Sequence, residues 1–162
     1  MHTVAHHLQV HAHNNNGPER DFFARSAYNR YYYGCYLLLR STFAEMNPDW
    51  EETPHKSYPD LLNGSITRAL KHAKGRAHKA KDVELVAMID GALRAIPQLR
   101  AIIEEANATR IVADYYPRVS VDFDSAARFS LNGVDVSKAH EWQSKVQTLT
   151  GSLITAWRQI NA

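Results

Sequence analysis

Leu85, Ile89, Ala92, Ile96, Leu99, Ile103 and Ala106 recur at alternating steps of four and three, the spacing that puts side chains on one face of an α-helix. A strand repeats every two residues, so this stretch commits the centre of the chain to a helix packed against other helices. Arg110 takes the next position in the series and Asp114 lies one turn beyond it. If the helix continues, a guanidinium and a carboxylate point toward whatever the stripe packs on, and charges so placed need partners. Another polar residue, Arg30, interrupts the apolar run Ala27-Tyr28-Asn29-Arg30-Tyr31-Tyr32-Tyr33-Gly34-Cys35-Tyr36-Leu37-Leu38-Leu39. Arg110 and Arg30 are therefore the leading candidate site residues.

The same periodicity is found elsewhere. Asn16-Gly17-Pro18-Glu19 carries helix-start signals and opens a long helix expected to reach Met46. Tyr28, Tyr32, Cys35, Leu39 and Phe43 form one face of it and Ala27, Tyr31, Gly34 and Leu38 a neighbouring one, so it is read as a central helix. Gly34 suits a place where another helix or chain packs closely. Asn47-Pro48-Asp49 ends it, with Trp50 as the anchor of the linker that follows. A second helix starts near Pro59, with Leu62, Ile66, Ala69 and Ala73 as its stripe and Gly75 as its terminator. A third spans about residues 80–114, with Pro97 expected to kink it. Residues 116–134 lose the pattern and read as a long connection, with strand character only around 118–124. Ala139, Trp142, Val146, Leu149, Leu153, Ala156 and Ile160 define a last helix from Asp135 or Ser137. The expected fold is all-α, an up-and-down bundle of four to five helices, with residues 1–16 as a tail or short helix and 17–162 as the bundle.

Length and composition fit this reading. A chain of 162 residues, 44% apolar and 22% charged, is sized for one domain. It lacks an apolar run of about twenty residues that could span a bilayer, and its start has no leader-like pattern, so no membrane association is expected and a cytoplasmic location is the default. Cys35 is the only cysteine; no internal disulfide can form, and its setting reads as a buried thiol. The net charge of +2 is small, but Arg68, Lys71, Lys74, Arg76, Lys79 and Lys81 fall in one acid-free stretch with His72 and His78. That stretch reads either as a track for a phosphate backbone or as a solvated turn between helices.

Glycine-rich phosphate loops, dinucleotide fingerprints, zinc-binding His-Glu pairs and serine elbows are absent. His7 and His11 are four residues apart, yet no Asp, Glu or Cys beside them completes a metal set, and no cofactor is expected. Arg118 and Arg128 lie in the long connection, where either could close over a ligand or simply be solvated.

Residues 26–36, with Arg30 before paired aromatics and a small-residue run, resemble the first-helix signature of HEPN domains. Pro54-His55-Lys56-Ser57 resembles the family's histidine-containing entry to its second helix, and Arg110-Ile111-Val112-Ala113-Asp114-Tyr115 its Arg-x-x-Ala-Asp-Tyr variant. The resemblance covers roughly residues 21–116. It implies a helical bundle that commonly dimerises, with its polar motif near the interface, and a place in prokaryotic toxin–antitoxin, phage-defence or stress systems.

Many members of that family are metal-independent endoribonucleases in which an arginine steadies the phosphate and a following histidine moves a proton. Here Asp114 stands where that histidine is expected, and ionised aspartate repels phosphate. The resemblance nominates Arg110, Asp114 and His55 for chemistry, with His55 the sole proton-transfer candidate. RNA or ligand binding is assigned to Arg30, Tyr33, Tyr115, Arg118, Arg68, Lys71, Lys74 and Arg76. Tyr31, Tyr32 and Tyr36 are read either as base-stacking surfaces or as packing. Two functions follow as expectations: an RNA-directed dimer, or a noncatalytic module that binds a protein such as a nucleotidyltransferase or effector, or a nucleotide. An ion pair between Arg110 and Asp114 that only ties the bundle end is the structural alternative.

Overall fold

The periodic stripe lies in one helix, Val83–Tyr115, that runs unbroken through Pro97. In the computed structural model, which describes residues 1–124 and 128–162, the chain is largely α-helical, a helical bundle with one small sheet. The elements are α1 (His2–Asn14), α2 (Arg20–Met46), α3 (Tyr58–Leu61), α4 (Thr67–Lys79), α5 (Val83–Tyr115), β1 (Asp122–Phe123), β2 (Phe129–Leu131), β3 (Val134–Asp135) and α6 (Val136–Ile160). A π-helical turn, Leu62–Ile66, joins α3 to α4. No helix among the described residues is long and apolar enough to cross a membrane. The residues gather into two compact units, Met1–Leu37 with Ile103–Ser144, and Leu38–Ile102 with Lys145–Ala162.

In the first unit, α2 contributes Ala24, Ala27, Tyr28, Tyr31, Tyr32 and Cys35 to the core, α5 contributes Ile103, Ala106 and Thr109, and α6 contributes Val136, Ala139 and Trp142. Glu105 links α5 to α6, accepting from Trp142 Nε1 at 3.1 Å and pairing with Lys138. The N-terminal residues form a complete helix that buries Ala5 and Ala12. Its last turn is held by Arg20, whose Nε donates to the Ala12 carbonyl at 3.2 Å and whose guanidinium lies 3.6 Å over the Phe123 ring. At Gly34 a side chain of α6 comes close to the α2 backbone: a Cβ there would meet Gln143 Oε1 at 2.5 Å.

The buried cation of α2 is Arg25, not Arg30. Arg25 is 8% exposed, pairs with Asp21 one turn earlier, and donates to the carbonyls of Val112, Ala113, Tyr116 and Val119. The Val112 and Tyr116 carbonyls also accept backbone N–H groups, whereas that of Ala113, at the helix end, has no intrahelical donor; a guanidinium with five fixed N–H groups suits several such acceptors at once. Arg30, one residue past a further full turn, falls on the solvent side.

The segment after α5 contains an antiparallel meander, β1-β2-β3, with Phe123 opposite Phe129 and Leu131 opposite Val134. Strands of two or three residues are too short to show alternation in a sequence. The readable signal was Asn132-Gly133 between them: both residues have positive φ, 54° and 73°, as a two-residue hairpin turn requires. Tyr28 pins the sheet to α2 by donating to the Val134 carbonyl at 2.6 Å.

The second unit packs Leu39, Phe43, Tyr58, Leu62, Ile66, Leu70, Ile89, Ala92, Leu99, Val146, Leu153 and Ala156, all fully buried. Trp50 anchors its linker as expected, 5.5 Å from the Trp157 ring, while Trp157 Nε1 donates to the Met46 carbonyl at 2.8 Å. Gly75 does not end α4, which continues to Lys79; its buried stripe is Leu70, Ala73 and Ala77. The stop comes at Lys81, with φ 59°, where the Asp82 N–H returns to the Ala77 carbonyl in a Schellman-type closure. Asp82 then caps α5 through the Leu85 N–H at 2.9 Å.

Arg25→Met should lower unfolding stability by about 2–4 kcal/mol, because it strands Asp21 together with the Ala113 and Val119 carbonyls. Arg30→Ala should change it by less than about 0.5 kcal/mol. Urea denaturation of both variants beside the wild type measures the difference.

Candidate functional site

The C-terminal turns of α5 bring Arg110 and Asp114 together. Arg110 Nε lies 2.9 Å from Asp114 Oδ2, an ion pair that is not aligned as a hydrogen bond. Arg110 Nη2 donates to the Tyr33 hydroxyl at 3.4 Å. The guanidinium carbon is 5.9 Å from the ring centres of Tyr32 and Tyr33 and 5.6 Å from that of Tyr115, within cation–π range. Asp114 spends its other oxygen on α2, where Asn29 Nδ2 donates to Oδ1 at 2.5 Å. Burial opposes the charge on Arg110, but the Tyr33 hydrogen bond and the Asp114 carboxylate outweigh it and raise its pKa.

Neither side chain sits on the core line. A seven-residue repeat drifts about 20° per heptad on a straight helix, and by the end of α5 the buried positions have moved to Thr109 and Ala113. Arg110 and Asp114 are left on the margin, their side chains 21% and 25% exposed. The result is a charge-balanced pair at the unit's edge. Beside it a cleft of about 310 Å³ is lined by Asp21, Phe22, Arg25, Ser26, Asn29, Asp114 and Pro117. Its walls carry two carboxylates against one guanidinium, a poor receptor for phosphate.

The other nominated residues divide between the units. Asn29, not Arg30, reaches the Asp114 carboxylate from α2; Arg30 is exposed. Arg118 and Arg128 are exposed in the segment after α5. Tyr31 and Tyr32 are core residues, and burial pushes the Tyr32 hydroxyl up to about 12 even with Arg110 nearby. Tyr33 and Tyr36 are half-buried and Tyr115 is 66% exposed. His55 belongs to the second unit, in the turn His55–Ser57, its ring 6.4 Å from that of Tyr58. His7 and His11 are exposed, His11 resting edge-on against Phe23 at 4.2 Å. Among the described residues, no group of three or more His, Cys, Asp or Glu is arranged to hold a metal ion.

The basic stretch is a helix rather than a loose turn. At about 100° per residue, Arg68, Lys71, His72, Gly75 and Lys79 share one face of α4 with Arg76 on its flank, opposite the buried Leu70, Ala73 and Ala77. All six are exposed. Lys74 turns aside to Asp90 on α5, 2.6 Å from its carboxylate, and that hydrogen bond holds the Asp90 pKa below the usual carboxylate range. Asn63, Gly64, Thr67, Arg68, Lys71 and His72 line a shallow groove of about 500 Å³ where the π-turn meets α4.

No family model matches the chain, and no curated protein or solved structure is significantly similar to it.

Two outcomes are expected. Burial pushes the Cys35 thiol up to about 12, so a disulfide reagent near pH 8 should label it at least about a hundredfold more slowly than a free thiol, until denaturant exposes it. A double-mutant cycle of Arg110→Ala and Asp114→Ala should give a coupling of about 0.3–1 kcal/mol in thermal unfolding, shrinking as salt is added.

Proposed function

We propose that this protein binds RNA through the solvent face of α4, without cutting it at Arg110. The reading rests on one observation: Arg68, Lys71, Arg76 and Lys79 are all exposed along an acid-free helix surface whose opposite side is the core. Cations clustered along one side of a helix engage a polyanion through counterion release and need no base-specific contact. The HEPN resemblance narrows the polyanion to RNA. It also supplies the wider setting proposed for the chain, a dimer in a prokaryotic toxin–antitoxin, phage-defence or stress system.

Arg110 does not favour cleavage. Its guanidinium is already matched by Asp114 and Tyr33, and the acid–base partner of the family's ribonucleases is replaced by a carboxylate that Asn29 holds in place. A second reading, docking of a protein partner, is favoured by Phe22, Tyr115 and Tyr116, which are 69%, 66% and 54% exposed in the first unit. Aromatic rings left open to water suit an interface core. Purification with a stoichiometric protein that Phe22→Ser releases would support it.

Fluorescence anisotropy with single-stranded RNA tests the main reading. Affinity should fall steeply with salt, and each of Arg68→Gln, Lys71→Gln, Arg76→Gln and Lys79→Gln should weaken binding and reduce the log–log salt slope by about 0.7. Arg110→Gln should leave binding unchanged, and the RNA should stay uncut. If the fourfold α4 variant bound like the wild type, the reading would fail; cleavage abolished by Arg110→Gln would restore an enzymatic role.

A further inference from the structure

The first turns of α1 meet α6 through histidines. His2 Nε2 donates to the His140 carbonyl at 3.2 Å, and the His2 and His6 rings stand edge-on to the His140 ring at 4.4 and 5.2 Å. From α2, the fully buried Tyr31 completes the group. Its hydroxyl gives its one proton to Gln9 Oε1 at 2.6 Å and receives the Nδ1–H of His140 at 2.9 Å. Three imidazoles on two helices thus close on one another around a buried phenol.

We propose that this cluster is an acid-labile clasp: protonation of His140 against the His2 and His6 rings frees α1 from the rest of the first unit. Each hydrogen bond named above can survive protonation, since the imidazole nitrogens involved are already donors. Neutrality cannot survive. A charge on half-buried His140 would be partly desolvated and would face the His2 ring at 4.4 Å and that of exposed His6 at 5.2 Å, where a like charge on either repels it.

The groups facing His140 are His2 and His6 from α1, Tyr31 from α2, and Glu141 on its own helix. Only Glu141 is an acid, and it is exposed. Burial first, then His2 and His6, lower the pKa of His140, against a smaller opposing pull from Glu141. The folded value lies below the ordinary 6.5, so docking is at full strength above that pH and is lost as pH falls below it.

The element that would yield is α1. Ala5 and Ala12 are its only fully buried apolar side chains, and its far end is held by Arg20 at the Ala12 carbonyl and by the edge contact of His11 with Phe23. A helix with so little buried surface opens at a lower free energy than the core helices. Its departure would uncover Tyr31 and the close approach of Gln143 to Gly34.

Hydrogen exchange on the full chain, corrected for intrinsic rate, tests this. Protection of the amides of residues 5–12 should fall about tenfold or more between about pH 8 and pH 5.5, while that of residues 146–156 changes little. In the triple variant His2→Gln, His6→Gln and His140→Gln the loss should disappear. A wild-type α1 equally protected at both pH values, or a triple variant that loses protection as the wild type does, would overturn the clasp. Should the triple variant fail to dock α1 near pH 8, His6→Gln alone decides: a smaller acid loss supports the clasp and an unchanged one overturns it. The RNA-binding variants of α4 leave this readout untouched, so the two proposals fail separately.

Discussion

The first unit depends on a buried guanidinium gathering the carbonyls at the end of α5 and just beyond it. Helix α5 ends at Tyr115 and the chain turns into the sheet segment, where the Val112 and Tyr116 carbonyls take backbone N–H groups but those of Ala113 and Val119 depend on a side-chain donor. Arg25 reaches them from α2 while Asp21 balances its charge. Asp21 also accepts from the Val121 N–H at 3.3 Å, so one ion pair fixes both the end of α5 and the entry to β1. Apolar packing alone could not do this, because hydrocarbon contact is non-directional and leaves polar backbone unsatisfied.

Much of the helical framework was legible in residue spacing, because burying one face of a helix imposes a period that composition cannot hide. The bounds of α2 and α6, the continuity of the stripe through Pro97, the close approach at Gly34 and the anchoring role of Trp50 all follow from local signals. What escaped had identifiable causes. Gly75 reads as a stop, yet glycine is tolerated on an exposed helix face, and the terminating geometry fell to Lys81. The meander was hidden because its strands are shorter than any period, although Asn132-Gly133 marked its turn.

The candidate site was half legible. Arg110 and Asp114 do meet, since residues four apart on a helix must. Arg30 stands out in the sequence because it sits in an apolar run, and nothing there marks Arg25; a side chain's fate is set by which carbonyls lie within reach, and that is tertiary information. Asn29, the residue that holds Asp114 from α2, carried no charge to draw attention. The clustering of His2, His6 and His140 was also out of sight, because 138 positions separate its ends. Arg110 near the α5 terminus is consumed by structure, whereas the α4 cations other than Lys74 face water, which is why the two basic regions support different roles.

The tryptophans are divided in a useful way. Trp142 lies fully buried in the first unit with its indole N–H on Glu105, whereas Trp50 and Trp157 face each other in the second. Emission from Trp142 alone, after conservative replacement of the other pair, reports on one unit, and the pair reports on the other. The chain therefore carries its own optical labels for asking whether the two halves melt as a single cooperative body or in succession.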